Sequence, residues 1–350
     1  MTQLTKLYSG IYSKFYLILF LLLPFIYFDK IIDPVLIPRQ IFLTIFLSIL
    51  FVFISLDIRK KKITHDFQFL KLWLPKFSLL LIFSILISFF KSTVLSESIY
   101  VFSKSSICII FYLYSTYLLI NNRLPKNSLH ISLVFFVIIL LLFAANQFII
   151  QGNSIVNITA TMANKNLLAS ILFLCFGSLV YLSTLSKTWN IITFCLCIFT
   201  ILTIWVIQTK SVLLVLLLFE SCLVFIFALK RRMKAFKLRF FKNSIFRLVF
   251  LSSLIFVSFK FPQYSSHIFS NDNSKTNINL NTANTRINLW GNTFEMIIEE
   301  SALGVGAGNW KINFPKYGLE KFNDKVQNGI MIYQRPHNDF LWIFSEYGLL

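Results

Sequence analysis

The chain has 350 residues, of which 57% are hydrophobic and 41 are phenylalanine. A soluble domain contains about 45–50% apolar residues, so this composition excludes an ordinary soluble protein. The formal net charge of +19 does not indicate nucleic-acid binding, because the basic residues stand in short clusters between apolar runs and form no single basic face. No nucleic acid is predicted as a partner.

Apolar runs long enough to cross a bilayer, which takes roughly 20 residues, follow one another along the chain. They lack the alternation of apolar and polar residues that marks β-barrel strands, so the predicted fold class is all-α, a polytopic helical membrane protein. No small-residue cleavage site follows the first run, which is therefore predicted to stay as a helix. Nine spans are predicted, at residues 15–28, 36–56, 73–90, 99–120, 129–150, 166–185, 191–207, 211–229 and 245–259.

The basic clusters at residues 59–62, 123–126 and 230–247 fall on one side of this alternation. By the positive-inside rule that side is the cytoplasm, and the N-terminus lies there too. Residues 1–259 form the predicted membrane bundle. Residues 260–339, which we call the polar segment, lie on the opposite side, and residues 340–350 start a tenth span. Since that span cannot finish by Leu350, the chain is expected to be a fragment of a longer protein.

Lys210 and Glu220 are charged residues within or beside the spans. Lys210 lies in the tight turn 208–210, on the same side of the membrane as the polar segment, and Glu220 falls near the middle of the eighth span. Ionisable residues inside a membrane indicate function by default. A structural pairing of Glu220 with another polar group is the alternative.

A helix is predicted in the polar segment from Arg286 onward, where apolar residues recur at three- and four-residue spacing. Residues 261–285 are predicted to form a loop, with Asn284 or Thr285 capping the helix. Arg286 and Trp290 are four residues apart and share a side of it. A guanidinium suits a phosphate or diphosphate, because it bonds two oxygens at once, although an ordinary surface arginine fits the pattern equally well.

Gly304, Gly306 and Gly308 alternate with small residues in a run that lets backbone approach a ligand and present N–H groups to an anion. A plain flexible turn is the commoner explanation of such a run.

The sequence from Arg335 to Asp339 is Arg-Pro-His-Asn-Asp, at the predicted re-entry into the membrane. His337 can take a proton near neutral pH, as a general base must, and Asn338 or Asp339 is a candidate to orient it. The alternative is a structural histidine, which is more common. No metal site is predicted, since the five cysteines lie in apolar runs as small apolar residues.

Taken in order, these pieces resemble the O-antigen ligase and polymerase superfamily of bacterial membrane glycosyltransferases. The resemblance covers the chain from about Asn164 onward. The matching stretches are residues 164–169, which include Asn164 and Asn166, then 209–211, 286–290, 303–310, 335–341 and 346–348.

The resemblance implies transfer of a glycan from an undecaprenyl-diphosphate carrier to lipid A–core, at the periplasmic face of the bacterial inner membrane. It implies that Arg286, Lys210 and Arg335 hold the diphosphate and that His337 deprotonates the acceptor hydroxyl, with no metal and no cofactor. The supporting residues that it implies are Asn338, Asp339, Trp290, Asn164, Asn166, Gly304 and Gly306.

Two departures from the family pattern stand out. The family often has arginine where this chain has Lys210, which keeps the charge and loses the two-pronged bond to phosphate. It often has proline where this chain has Ala302. An O-antigen polymerase or a protein O-oligosaccharyltransferase of the same superfamily remains an alternative, and a membrane transporter or flippase is the alternative from another class.

Overall fold

The computed structural model describes residues 10–28, 30, 33–60, 68–150, 158–207, 209, 211–222 without 213, 217, 220 and 221, 274–322 and 324–348. The described part is helical and contains no strand, as the all-α prediction requires. Its helices are α1 (Ile11–Leu22), α2 (Leu36–Arg59), α3 (Trp73–Ser88), α4 (Leu95–Ile120), α5 (Lys126–Ile150), α6 (Lys165–Ser183), α7 (Lys187–Val206), α8 (Ser274–Glu299), α9 (Trp310–Asn313), α10 (Asp324–Gln327) and α11 (Asp339–Tyr347).

Six helices of the described part are long and apolar enough to cross a membrane. They are α2, α3 with the 3-10 turn that extends it to Lys91, α4, α5, α6 and α7, and they coincide with the second to seventh predicted spans. The first predicted span is a shorter apolar helix, Ile11–Phe25. The eighth and ninth lie largely or wholly outside the described residues, so the count of nine spans stays a prediction.

Several helices begin where a side-chain oxygen can accept bonds from the first free backbone amides. The Asp33 carboxylate accepts from Val35 N at 3.1 Å and from Leu36 N at 2.8 Å, at the start of α2. Asn164 accepts from Leu167 N at the start of α6, and Ser186 accepts from Trp189 N at the start of α7. Each oxygen satisfies amides that have no partner inside their own helix.

The chain divides into two compact units, Met1–Phe46 with Asn121–Ser270 and Leu47–Ile120 with Asn271–Leu350. The predicted division into a bundle (1–259), a polar segment (260–339) and a tenth span (340–350) follows the expected environment of each part, and it stays a prediction. In the first unit, α5, α6 and α7 pack together, and α1 packs on α5.

The second unit contains the α3–α4 hairpin and helices α8 to α11. Within it the polar segment has a small core of its own, in which Trp310 is fully buried and its ring stacks on Phe314 with 4.6 Å between centroids. Leu289 and Met296 of α8 pack into this core. The apolar face predicted for this helix is therefore divided, because Ile287, Phe294 and Ile298 remain exposed.

Helix α8 begins at Ser274, so the prediction of a loop is wrong for residues 274–285, as is that of a cap at Asn284 or Thr285. Residues 261–273 of the predicted loop lie outside the described residues. Asn and Thr cost only a few tenths of a kcal/mol inside a helix, and such residues do not by themselves end one. Helix α11 spans nine residues and stops at Gly348, whose φ is +78°. The tenth span from Phe340 stays a prediction.

Candidate active site

A hydrogen bond from Trp290 ties helix α8 to the loop that carries His337. The Trp290 indole Nε1 donates to the carbonyl oxygen of Pro336 at 3.0 Å, and Pro336 is buried. Arg286 lies one turn before Trp290 on the same helix and is exposed. The bond therefore holds the backbone just before His337 against the helix that carries the predicted diphosphate ligand.

His337 is exposed and has a φ of +57°, in the left-handed region. Partial burial of the ring lowers the pKa of His337, and the positive charges of Arg335 and Arg286 lower it further. Both positive charges therefore favour the neutral form of the imidazole. No hydrogen bond to this ring comes from the described residues, so a neutral imidazole nitrogen is available to accept a proton.

The Asn338 side chain has a different partner from the one considered in the sequence. Its Oδ1 accepts from Phe340 N at 3.1 Å and from Leu341 N at 3.3 Å, which makes Asn338 the N-cap of α11. Asp339 is the exposed first residue of that helix. Asn338 therefore fixes where α11 begins, and through the adjoining backbone it fixes where His337 stands.

Asn164 and Asn166 belong to the first unit. Asn164 caps α6, and Asn166 is exposed in its first turn with its carbonyl bonded to the Ser170 hydroxyl. Lys210 and Glu220 lie outside the described residues, so the predictions for both stay predictions.

The glycine run is a close-packing element, and all three glycines have positive φ. A Cβ on Gly304 would lie 2.5 Å from the backbone of Glu346, and one on Gly306 would lie 2.7 Å from Ser92 Cα. A Cβ on Gly308 would lie 3.0 Å from Glu97 O. Each glycine thus lets the run touch a different part of the second unit: α11, the α3–α4 turn and the start of α4.

The backbone amides of the run donate within the protein. Gly308 N and Trp310 N donate to the two carboxylate oxygens of Glu346 at 2.8 and 3.2 Å, and the Trp342 indole donates to the same carboxylate at 2.7 Å. Gly306 N donates to the Glu346 carbonyl at 3.1 Å. These amides are therefore not free for an anion, and Gly304 allows α11 to pack against the run. A supporting role of Gly304 and Gly306 in the site stays a prediction.

Asn309 is fully buried and joins the glycine run to the α3–α4 turn. Its Oδ1 accepts from Thr93 Oγ1 at 2.9 Å and from Val94 N at 2.8 Å, while its Nδ2 donates to the hydroxyls of Ser92 and Ser98 at 2.9 and 3.0 Å. This one amide therefore bonds three residues of the turn and Ser98 in the first turn of α4.

Two ion pairs lie beside Asn309, between Lys311 and Glu97 at 2.9 Å and between Lys91 and Glu300 at 3.0 Å. The sequence assigned no role to Asn309 or Glu346. An acidic residue in a predicted span is the same signal that singled out Glu220, and it would also have identified Glu346.

Comparison with known proteins bears on this arrangement. A family model described as O-antigen ligase matches residues 172–350, about half of the chain. The chain belongs to the O-antigen ligase family. No curated protein and no solved structure matches it.

The match to the O-antigen ligase family includes Arg286, Trp290, the glycine run, Arg335 and His337, and it begins after Asn164 and Asn166. The protein is an O-antigen-ligase-like, multi-pass membrane enzyme.

Proposed function

We propose that this enzyme transfers a glycan from an undecaprenyl-diphosphate carrier to lipid A–core, at the periplasmic face of the bacterial inner membrane. The observation that carries the proposal is the grouping at His337. One exposed imidazole, without a hydrogen bond from the described residues, stands within electrostatic range of the guanidinium groups of Arg286 and Arg335. A base beside two cations suits a reaction that removes a proton and releases an anion.

In the proposed step, His337 accepts the proton of the acceptor hydroxyl as that oxygen bonds to the anomeric carbon of the glycan. The bond from the anomeric carbon to the diphosphate oxygen breaks, and its electron pair leaves with the diphosphate. Attack opposite the leaving group inverts the anomeric carbon. Arg286 and Arg335 bind the negative charge as it develops, with Lys210 as a third cation that the family resemblance suggests.

The protonation state of His337 fits this role. Burial and the two guanidinium charges lower its pKa, which favours the neutral imidazole that a base requires. The three basic side chains supply the charge stabilisation of the leaving group, and the proposal includes no metal and no cofactor.

The test of the function is deletion of the full-length gene, with lipopolysaccharide, carrier-linked glycan and glycoproteins analysed together. Core lipid without long chains, together with accumulated carrier-linked polymer, is the expected result. Core bearing a single repeat would show a polymerase, and unglycosylated proteins with normal lipopolysaccharide would show a protein transferase. Glycan retained on the cytoplasmic side, with all products lost, would show a transporter.

His337→Ala is expected to lower transfer by about 10²–10⁴-fold, the usual contribution of general acid–base catalysis, while the protein still inserts in the membrane. Transfer is measured with purified protein and carrier-linked glycan. His267→Ala, at the other histidine of the polar segment, is the matched control and should keep normal transfer. A stably inserted His337→Ala protein with near-normal transfer would remove His337 from the role of base.

A further inference from the structure

Three consecutive large apolar residues project from the polar segment. Ile330, Met331 and Ile332 are 75%, 44% and 60% exposed, and we call them the apolar tip. A loop normally places polar residues or glycine at such a point. A contiguous group of exposed apolar residues indicates a contact with a membrane or with another molecule.

The base of the apolar tip is built firmly, so its exposure is not the result of a loose loop. Before it, Val326 is buried in the core of the polar segment, and the Gln327 side chain donates to Phe322 O at 2.8 Å. After it, the Tyr333 ring packs 5.6 Å from that of Phe322. Met331 N donates to Lys325 O at 2.9 Å and closes the loop. Both ends are therefore held while the apolar tip faces outward.

The polar segment is fastened to the turn between α3 and α4, two helices apolar enough to span the membrane. The fastening consists of the Asn309 bonds to Ser92, Thr93 and Ser98 and the two ion pairs of Lys91 and Glu97. A turn between two spans lies at the membrane surface. The residues of the polar segment that are bonded to this turn therefore lie near the level where headgroups meet water.

We propose that the apolar tip inserts into the interfacial region of the membrane that this protein spans. An apolar side chain gains free energy when it leaves water for the acyl boundary. Lys325, exposed at the base of the loop, can reach the lipid phosphates with its ammonium while its methylenes lie along the apolar tip. The occupant of this surface is thus bilayer lipid.

The insertion would also place the active site, a consequence that rests on the proposed function. His337 is only five positions after Ile332 in the sequence, which is at most about 18 Å of extended chain. The diphosphate of a lipid carrier lies at the headgroup level. Insertion of the apolar tip would therefore hold His337 near the depth at which the bond to the diphosphate breaks.

The test places a fluorescent bimane label at Met331→Cys in the full chain, with its five native cysteines replaced by alanine, in nanodiscs without substrate. We expect blue-shifted emission and about a twofold loss of intensity with lipids that carry a shallow doxyl quencher, since interfacial side chains lie at that depth. Quenching should be weaker when the doxyl group lies deep in the acyl chains. Asn328→Cys, an exposed polar position of the same loop, is the control and should show solvent-like emission.

Emission at 331 that matches the control would overturn the proposal, because the apolar tip would then face water. Blue-shifted emission without quenching by any doxyl lipid would overturn it too, since protein would then cover the apolar tip. Ile332→Cys replaces the first variant if that one fails to fold. The label reports lipid contact without turnover, so its result is separable from that of the His337→Ala test of the proposed function.

Discussion

At the scale of single residues, the candidate site depends on the hydrogen bonds and charges around His337. Its backbone is fixed from both sides, by the Trp290 bond to Pro336 O and by the Asn338 cap of α11. Its ring is left without a hydrogen bond from the described residues, while two guanidinium charges act on it. Because the backbone alone holds His337 in place, both ring nitrogens remain available to the substrate. This suits a base that must accept a proton from a hydroxyl.

Arg335→Gln is expected to move the acidic limb of the pH–rate profile to higher pH. The wild-type charge of Arg335 lowers the pKa of His337, so its removal raises that pKa. The imidazole of the variant is then protonated, and inactive as a base, at a pH where the wild-type ring is still neutral. The measurement is single-turnover transfer as a function of pH, with an NMR titration of the His337 ring beside it.

Lys321→Gln is the control for this prediction, because Lys321 is an exposed cation of the polar segment that does not contribute to the pKa shift of His337. Its acidic limb should coincide with that of the wild type. An unmoved limb in Arg335→Gln, or a limb at lower pH, would contradict the electrostatic coupling of Arg335 to His337.

At the scale of elements, the glycine run packs against three other parts of the second unit. It places one glycine against each of three neighbours and directs two amides to the buried Glu346 carboxylate. Glu346 is 2% exposed and accepts three hydrogen bonds from Gly308 N, Trp310 N and the Trp342 indole. The run therefore sets the start of α4, the α3–α4 turn and α11 in one arrangement, and α11 in turn begins next to His337.

Gly306→Ala is expected to lower the apparent melting temperature of the purified protein more than Gly329→Ala or Gly291→Ala. Its φ is +95°, and the new methyl group would lie 2.7 Å from Ser92 Cα, which is backbone and cannot turn aside. Positive φ alone costs a residue with a side chain about 1–3 kcal/mol, and the clash adds to that. The measurement is thermal unfolding in detergent.

Replacement of two other glycines of the polar segment separates the cost of the positive φ from the cost of the clash. Gly329 has a φ of +69° with open space around it, so Gly329→Ala reports the cost of the backbone angle alone. Gly291 lies inside α8 with nothing within 4 Å, and Gly291→Ala should stabilise the helix by roughly 0.5–1 kcal/mol. Equal losses in Gly306→Ala and Gly329→Ala would show that the contact with Ser92 is not tight.

At the scale of the whole molecule, the short basic loops predict the orientation in the membrane. The clusters at residues 59–62 and 123–126 lie at the ends of candidate spans, and they have few acidic neighbours. Such loops stay in the cytoplasm, whereas long polar segments cross irrespective of their charge. The polar segment is close to neutral, with seven basic and seven acidic residues between positions 261 and 340 and one further basic residue at Lys260, and so it does not oppose this orientation.

Alkaline phosphatase fused after residue 96 or residue 328 is expected to be active, because both positions lie on the periplasmic side in this orientation. Fusions after residue 62 or residue 123 should be inactive and serve as controls. Phosphatase activity in whole cells is the measurement. An inactive fusion at 328 beside an active one at 62 would reverse the orientation and place His337 in the cytoplasm.

The helical class and the positions of the second to seventh spans could be predicted because each depends on a long local run of apolar residues. The stretches around Arg286 and His337 could be found for the same reason, since polar chemistry stands out against an apolar chain. The predicted start of α8 was wrong because Asn and Thr occur inside helices as well as at their N-caps. Their presence therefore does not by itself locate the first residue of a helix.

The sequence by itself determined that this protein is built of membrane helices and which polar side chains it presents, because hydrophobicity and residue chemistry are local properties. Only the tertiary structure decided that the glycine amides serve Glu346, that Asn309 holds the α3–α4 turn, and that Arg286 acts on His337 from 51 positions away. These are long-range pairings. They form only when folding brings distant residues together, so they cannot be predicted from the spacing of residues along the chain.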